Sequence, residues 1–294
     1  MAKSPLLQRA LCLAILGAPL ALAGCSVGLD SVVYDLDAGG GGGGSGATTS
    51  STSTTTGSSS SSTGGNPACG ALPPFNNFST ADSLAGWTVL LPSNFQSVSA
   101  QMALPGGLTL TPKPVFNNGW FQSTIGPLLY REITGDFLIT AHVRAVRVSN
   151  PEAPPGGQYN TAGLLARKPN EATWVLNDVG SQLTTVGAID KVTTDGSTDK
   201  LPGDNGTPGS NLATLAICRL GDTFHLVRRF DGMMSPTVTT SHTFAPGVMP
   251  KTLQVGMIVG NYGGELDVEG VFDFVRFDCP MVDADCLKAA ANSP

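Results

Sequence analysis

Glu265-Leu266-Asp267-Val268-Glu269 sets three carboxylates at alternate positions. On a strand, residues two apart share a face, so all three acids would line up on one side. The outer two Cα atoms would lie about 13 Å apart at roughly 3.3 Å per residue. Two glutamates leaning towards each other could close to the ~5.5 Å of a retaining glycosidase pair, with Asp267 between them separating their pKa values. A plainer reading competes and is preferred. In it Leu266 and Val268 face a core and the acids decorate a solvated face. The motif also runs straight into Val271-Phe272-Asp273-Phe274-Val275, which reads as a closing strand.

Other residues suit ligand capture better than catalysis. An exposed aromatic can stack on the apolar face of a pyranose while Asn and Asp bond its hydroxyls. Trp120 follows Asn118, and Trp174 precedes Asn177 by three residues. Both pairs are ligand-binding candidates, with burial in a core the alternative for Trp87 and Trp174. The loop from Asp195 to Gly206 carries Asp195, Asp199 and Asp204, which could ligate calcium with help from carbonyls. A solvated loop is the competing reading, and no other cofactor is expected. No GxSxG elbow and no HExxH occurs, and His142, His225 and His242 sit in strand-like runs.

The elements that must carry these residues follow from composition. The chain has 294 residues and a net charge of −6. That excludes nucleic acid as a partner, since its phosphates demand a basic face. Thirty-seven glycines, 21 prolines and only 13% charged residues suit an exported all-β domain with tight turns. Residues 1–24 read as a signal peptide, with Lys3 and Arg9 ahead of the apolar run Ala10 to Ala23. Leu22-Ala23-Gly24-Cys25 resembles the bacterial lipoprotein signature. That resemblance implies a lipid on the Cys25 thiol, and so membrane anchoring without a spanning helix. Ser26 is not the aspartate that retains many such proteins at the inner membrane, which points to the outer membrane. Residues 25–66 form the lipidated start and a Gly/Ser/Thr-rich linker, expected to be disordered. As a flexible coil, residues 39–66 would reach about 30 Å.

The head spans residues 67–286, followed by a tail at 287–294. Cys69, Cys218, Cys279 and Cys286 would remain after export and lipidation, allowing three pairings. Cys69 with Cys279 or Cys286 would tie the domain's ends, Cys279–Cys286 is a local alternative, and Cys218 in its strand-like run reads as a buried thiol. A bond closing a loop of over 200 residues would stabilise by about 5 kcal/mol in chain-entropy models. Period-two runs at 137–144, 224–229 and 253–260 mark strands. Further strands are expected at 96–103, 107–112, 118–123, 161–167, 172–178, 183–189, 212–220, 237–244 and 266–277. Asp231-Gly232 reads as a hairpin turn, and 283–291 as a short terminal helix. A dozen strands without helical alternation make a two-sheet antiparallel β-sandwich or jelly roll.

Several runs occur in a telling order: Gly135-Asp136-Phe137, Ala162-Gly163-Leu164-Leu165-Ala166-Arg167, Trp174, Arg219-Leu220-Gly221-Asp222-Thr223-Phe224, Phe230-Asp231-Gly232, Val255-Gly256-Met257 and Val271-Phe272-Asp273-Phe274-Val275. In that order the chain resembles the concanavalin A-like lectin/glucanase superfamily over about residues 82–278. It is similar within it to the bacterial jelly-roll domains linked by name to enolase regulation. The resemblance implies two curved sheets, a concave face and polysaccharide binding. Met233-Met234 stands where that pattern has a tryptophan. The Glu265–Glu269 run is also similar to the ExDxE core of glycoside hydrolase family 16, which would make Glu265 the nucleophile and Glu269 the acid/base. The aromatic that precedes that core is replaced by Asn261-Tyr262-Gly263-Gly264. The preferred expectation is a lipid-anchored glycan-binding protein. A glycosidase, or an adhesive module for a surface protein, is the alternative.

Overall fold

A computed structural model describes residues 69–101, 107–115, 118–122, 126–182, 185–200, 207–262, 267–288 and 290. The expected signal peptide, the expected lipidation at Cys25 and the expected linker all fall outside these residues. The described chain is an all-β, two-sheet antiparallel sandwich. One sheet orders its strands β1 (Thr88–Leu90), β4 (Leu128–Thr134), β14 (Thr252–Asn261), β6 (Asn160–Arg167), β7 (Trp174–Gln182), β8 (Thr185–Thr194) and β10 (Thr207–Pro208). The short β9 (Ser197–Lys200) also pairs with β8. The other sheet orders β13 (Thr237–Thr243), β12 (Thr223–Phe230), β11 (Leu212–Leu220), β5 (Phe137–Val146), β15 (Glu269–Asp278), β3 (Gly107–Pro112) and β2 (Phe95–Gln101). A short α-helix, α1 (Asp283–Lys288), follows the last strand.

The alternation read from sequence builds the core. Phe137, Ile139, Ala141 and Val143 on β5 point inward and meet Leu164, Val175, Val255 and Met257 of the opposite sheet. Each such side chain removed from water stabilises by about 1.5–3 kcal/mol. The facing positions are not all apolar. Asn177 Nδ2 donates to the carbonyls of Ala216 and Val227 at 3.1 and 2.9 Å, bonding β7 directly to β11 and β12 across the sandwich. Asp190, the cross-strand neighbour of Asn177, lies 3.5 Å from Arg228 Nη1 of β12. Burial lowers the pKa of that arginine, and the Asp190 charge opposes the shift.

Two outcomes differ from the sequence reading. Residues 118–122 form no strand, and β4 occupies 128–134 instead. Leu128 packs on the outer face of its sheet and Leu129 in the core, so β4 has no period-two pattern to read. Cys218 is also not a free thiol. Cys69 pairs with Cys279, and Cys218 pairs with Cys286 across 68 residues. The second bond pins α1 onto the outer face of the seven-stranded sheet. There Leu138, Ala216, Val227 and Cys286 make a separate apolar cluster. The Cys279–Cys286 staple therefore does not form.

Candidate functional site

Beyond α1, the outer face of the seven-stranded sheet carries a groove of about 580 Å³. That lies within the range of small-ligand pockets. The outward alternation of β5 supplies His142, between the core residues Ala141 and Val143. β11 supplies Thr214 beside it, its Cα partner in the ladder. Asp273 comes from a bulge in β15. Val143 pairs with Phe272 and His142 with Phe274, so Asp273 is the extra residue. A bulge re-aims a side chain in this way, and here both Asp273 and Phe274 reach the groove. Asp231 comes from the turn after β12. The Met233 amide bonds the Phe230 carbonyl at 3.0 Å, and Gly232 sits at φ +82°, as the third position of a type II turn requires.

These elements converge on the imidazole. Its Nδ1 lies 2.5 Å from Asp273 Oδ2 and its Nε2 lies 3.1 Å from Asp231 Oδ1. A ring set between two carboxylates can donate to both only as the imidazolium, so this placement favours the protonated form. The pKa of His142 is accordingly raised from 6.5. The Asp273 hydrogen bond is the main cause, burial opposes it, and Asp231 adds to it. The ring also lies parallel to Phe274, centroids 6.5 Å apart. Phe75 stacks on Phe274 in turn at 5.9 Å. Phe75 is 50% exposed, Met233 55%, and Arg229 and Asn77 complete the polar wall. The arrangement offers an aromatic platform, paired acceptors and flanking donors.

The residues singled out from sequence lie elsewhere. Trp120 and Trp174 do come together, edge to face at 6.0 Å, but on the outer face of the eight-stranded sheet and buried to 5% and 0% exposure. The Trp120 indole donates to the Pro127 carbonyl, and Arg167 lies over its ring. Neither indole is an open stacking face. Asn118 is spent on the Asn94 and Lys113 carbonyls, and Asn177 on the tie between sheets. The cavity beside Trp120, walled by Tyr159, Tyr262 and Lys191, measures about 20 Å³, the space of a water molecule.

Glu265 lies outside the described residues. Asp267 pairs with Arg147 at 3.2 Å and accepts from the Val148 amide at 3.1 Å. Glu269 opens β15 and accepts from Thr111 at 2.6 Å. Neither lines the groove. Of the calcium candidates, Asp195 occupies a tight turn with Gly196, both at positive φ, and Thr173 donates to it. Asp199 sits on β9 opposite Val192, and Asp204 lies outside the described residues. Among the described residues no three His, Cys, Asp or Glu side chains are grouped to hold a metal.

No family model matches the chain, and no curated protein matches it. Solved structures do. A GH43 protein from Bacillus licheniformis aligns at 12% identity and TM-score 0.50 over 70% of this chain. The alignment covers 39% of that protein, so the chain spans well under half its length. A functionally unknown protein from Saccharomyces cerevisiae aligns at 17% identity and TM-score 0.47, over 68% of this chain and 99% of its own. The basic winged bean lectin, solved with Tn-antigen, aligns at 12% identity and TM-score 0.39 over 66% of this chain and 93% of its own. At these identities the likeness concerns fold alone.

Proposed function

We propose that the protein is a non-catalytic glycan-binding module, held at the cell envelope by a lipid on Cys25. The observation that carries this reading is the half-exposed Phe75, stacked on Phe274 at the lip of a groove whose wall holds Asp231, Asp273, Arg229 and Asn77. A flat apolar ring beside bidirectional hydrogen-bonding groups matches a pyranose, which has an apolar face and a rim of hydroxyls. The fold shared with a segment of a GH43 protein agrees with this ligand class. Binding rather than hydrolysis is the reading that the placement of the acids supports. Both groove carboxylates are bonded to the one His142 ring, and the other candidate acids, Asp267 and Glu269, lie outside the groove.

Screening the purified lipoprotein in detergent on a glycan array tests the ligand class, with uncharged polysaccharides expected among the hits. Cell fractionation tests the anchor. The protein should partition with outer membranes, and Cys25→Ala should release it to the soluble fraction. An unmodified Cys25 by mass spectrometry would end the anchoring half of the proposal.

A further inference from the structure

His142 joins two acids that the chain keeps apart: Asp273 on the β15 bulge and Asp231 on the β12–β13 turn. We infer that His142 is the positioning residue of the groove, drawing the Asp231-Gly232 turn against the sheet and holding Asp231 and Asp273 as paired acceptors for neighbouring hydroxyls of an uncharged sugar. The clamp stands on geometry alone; its ligand rests on the glycan reading above. The ring engages one oxygen of each carboxylate, and an ionised carboxylate has acceptor capacity to spare. Two such groups side by side accept from hydroxyl pairs and offer a uronate or a sulfate no donor.

The groups facing the ring fix how it responds to protons. β15 presents Asp273 and Phe274, the β12 end presents Arg229 and Asp231, β11 presents the uncharged Thr214, and the segment before residue 78 presents Phe75 and Asn77. Arg144 is the next outward residue along β5. Loss of the ring proton turns one nitrogen into an acceptor facing a carboxylate. The longer of the two bonds, to Asp231, gives way, and the turn that carries Met233 moves off the groove.

The test follows backbone amide shifts of Gly232 and Met233 by NMR in the whole mature chain, alongside the His142 ring, from about pH 5 to about pH 9. Affinity for a neutral and a uronate oligosaccharide is measured at both ends of the range. The turn amides should titrate with the ring at one midpoint above 6.5. Neutral-sugar affinity should fall roughly tenfold across it, the scale of a lost charge-assisted hydrogen bond. Asp231→Asn, which keeps the side chain's shape, should remove both effects; His142→Gln should do the same. Turn amides that stay still while His142 titrates would overturn the clamp, as would Asp231→Asn retaining the pH dependence. Uronate bound more tightly than neutral sugar would overturn the acceptor pair. Co-titration with no sugar bound at either pH would support the clamp and sink the glycan reading.

Discussion

Phe75 and Phe274 stack with centroids 5.9 Å apart and planes inclined by 29°. One is half exposed and the other nearly buried, at 50% and 6%. The pair is held by backbone: Asn76 and Val275 exchange both amide-to-carbonyl bonds, at 2.9 and 2.8 Å, next to the two rings. An aromatic left open to water on a rigid, doubly bonded ledge is poised to receive a flat apolar surface.

Stability should fall as pH rises through the His142 transition. The folded-state pKa is raised above 6.5, so the imidazolium's contribution is complete below that value and is lost as pH climbs through the folded pKa. Melting temperatures of wild type and His142→Gln, compared across this window, should converge on the alkaline side. A gap that widens there would contradict the bridging role.

Asn177→Ala should be among the more destabilising single changes. It removes both hydrogen bonds that tie β7 to β11 and β12 and leaves a void between the sheets. Each lost bond is worth about 0.5–1.5 kcal/mol and the void adds to that, giving a total of roughly 2–5 kcal/mol. Urea denaturation should show a lower midpoint at unchanged slope.

Peptide mapping without reduction should recover Cys69 linked to Cys279 and Cys218 linked to Cys286. A Cys279–Cys286 peptide would contradict the docking of α1. Replacing Cys218 and Cys286 together by Ser should cost about 4 kcal/mol in chain-entropy models and free the terminal helix to exchange its amides.

The sandwich was legible because strands such as β3 and β5 alternate and β11 is a long, mostly apolar run. β3 and β11 fall on the residues the pattern marks, 107–112 and 212–220. β4 was hidden because it buries both faces at one end. The groove was hidden for a different reason: its residues come from positions 75, 77, 142, 214, 229, 231–233 and 273–274, and only a fold brings them together. The one local signal was the Asp231-Gly232 turn. The tryptophans misled because an aromatic beside an asparagine looks alike on a surface and in a core. The outer face of the eight-stranded sheet is itself covered, so Trp120 packs on Trp174 and bonds Pro127 rather than meeting solvent. A better cue was Phe75-Asn76-Asn77, which pairs an aromatic with amides close after the cysteine that anchors the domain's start.

The central claim is that the ledge beside His142 is the ligand site, and calorimetric titration of Phe75→Ala with the strongest neutral array hit tests it most directly. Losing a stacked phenyl face removes about 1.5–3 kcal/mol, so affinity should fall tenfold or more while the variant stays folded, its melting temperature lowered by only a few degrees through loss of the Phe274 stack. Wild-type affinity in Phe75→Ala would contradict the account.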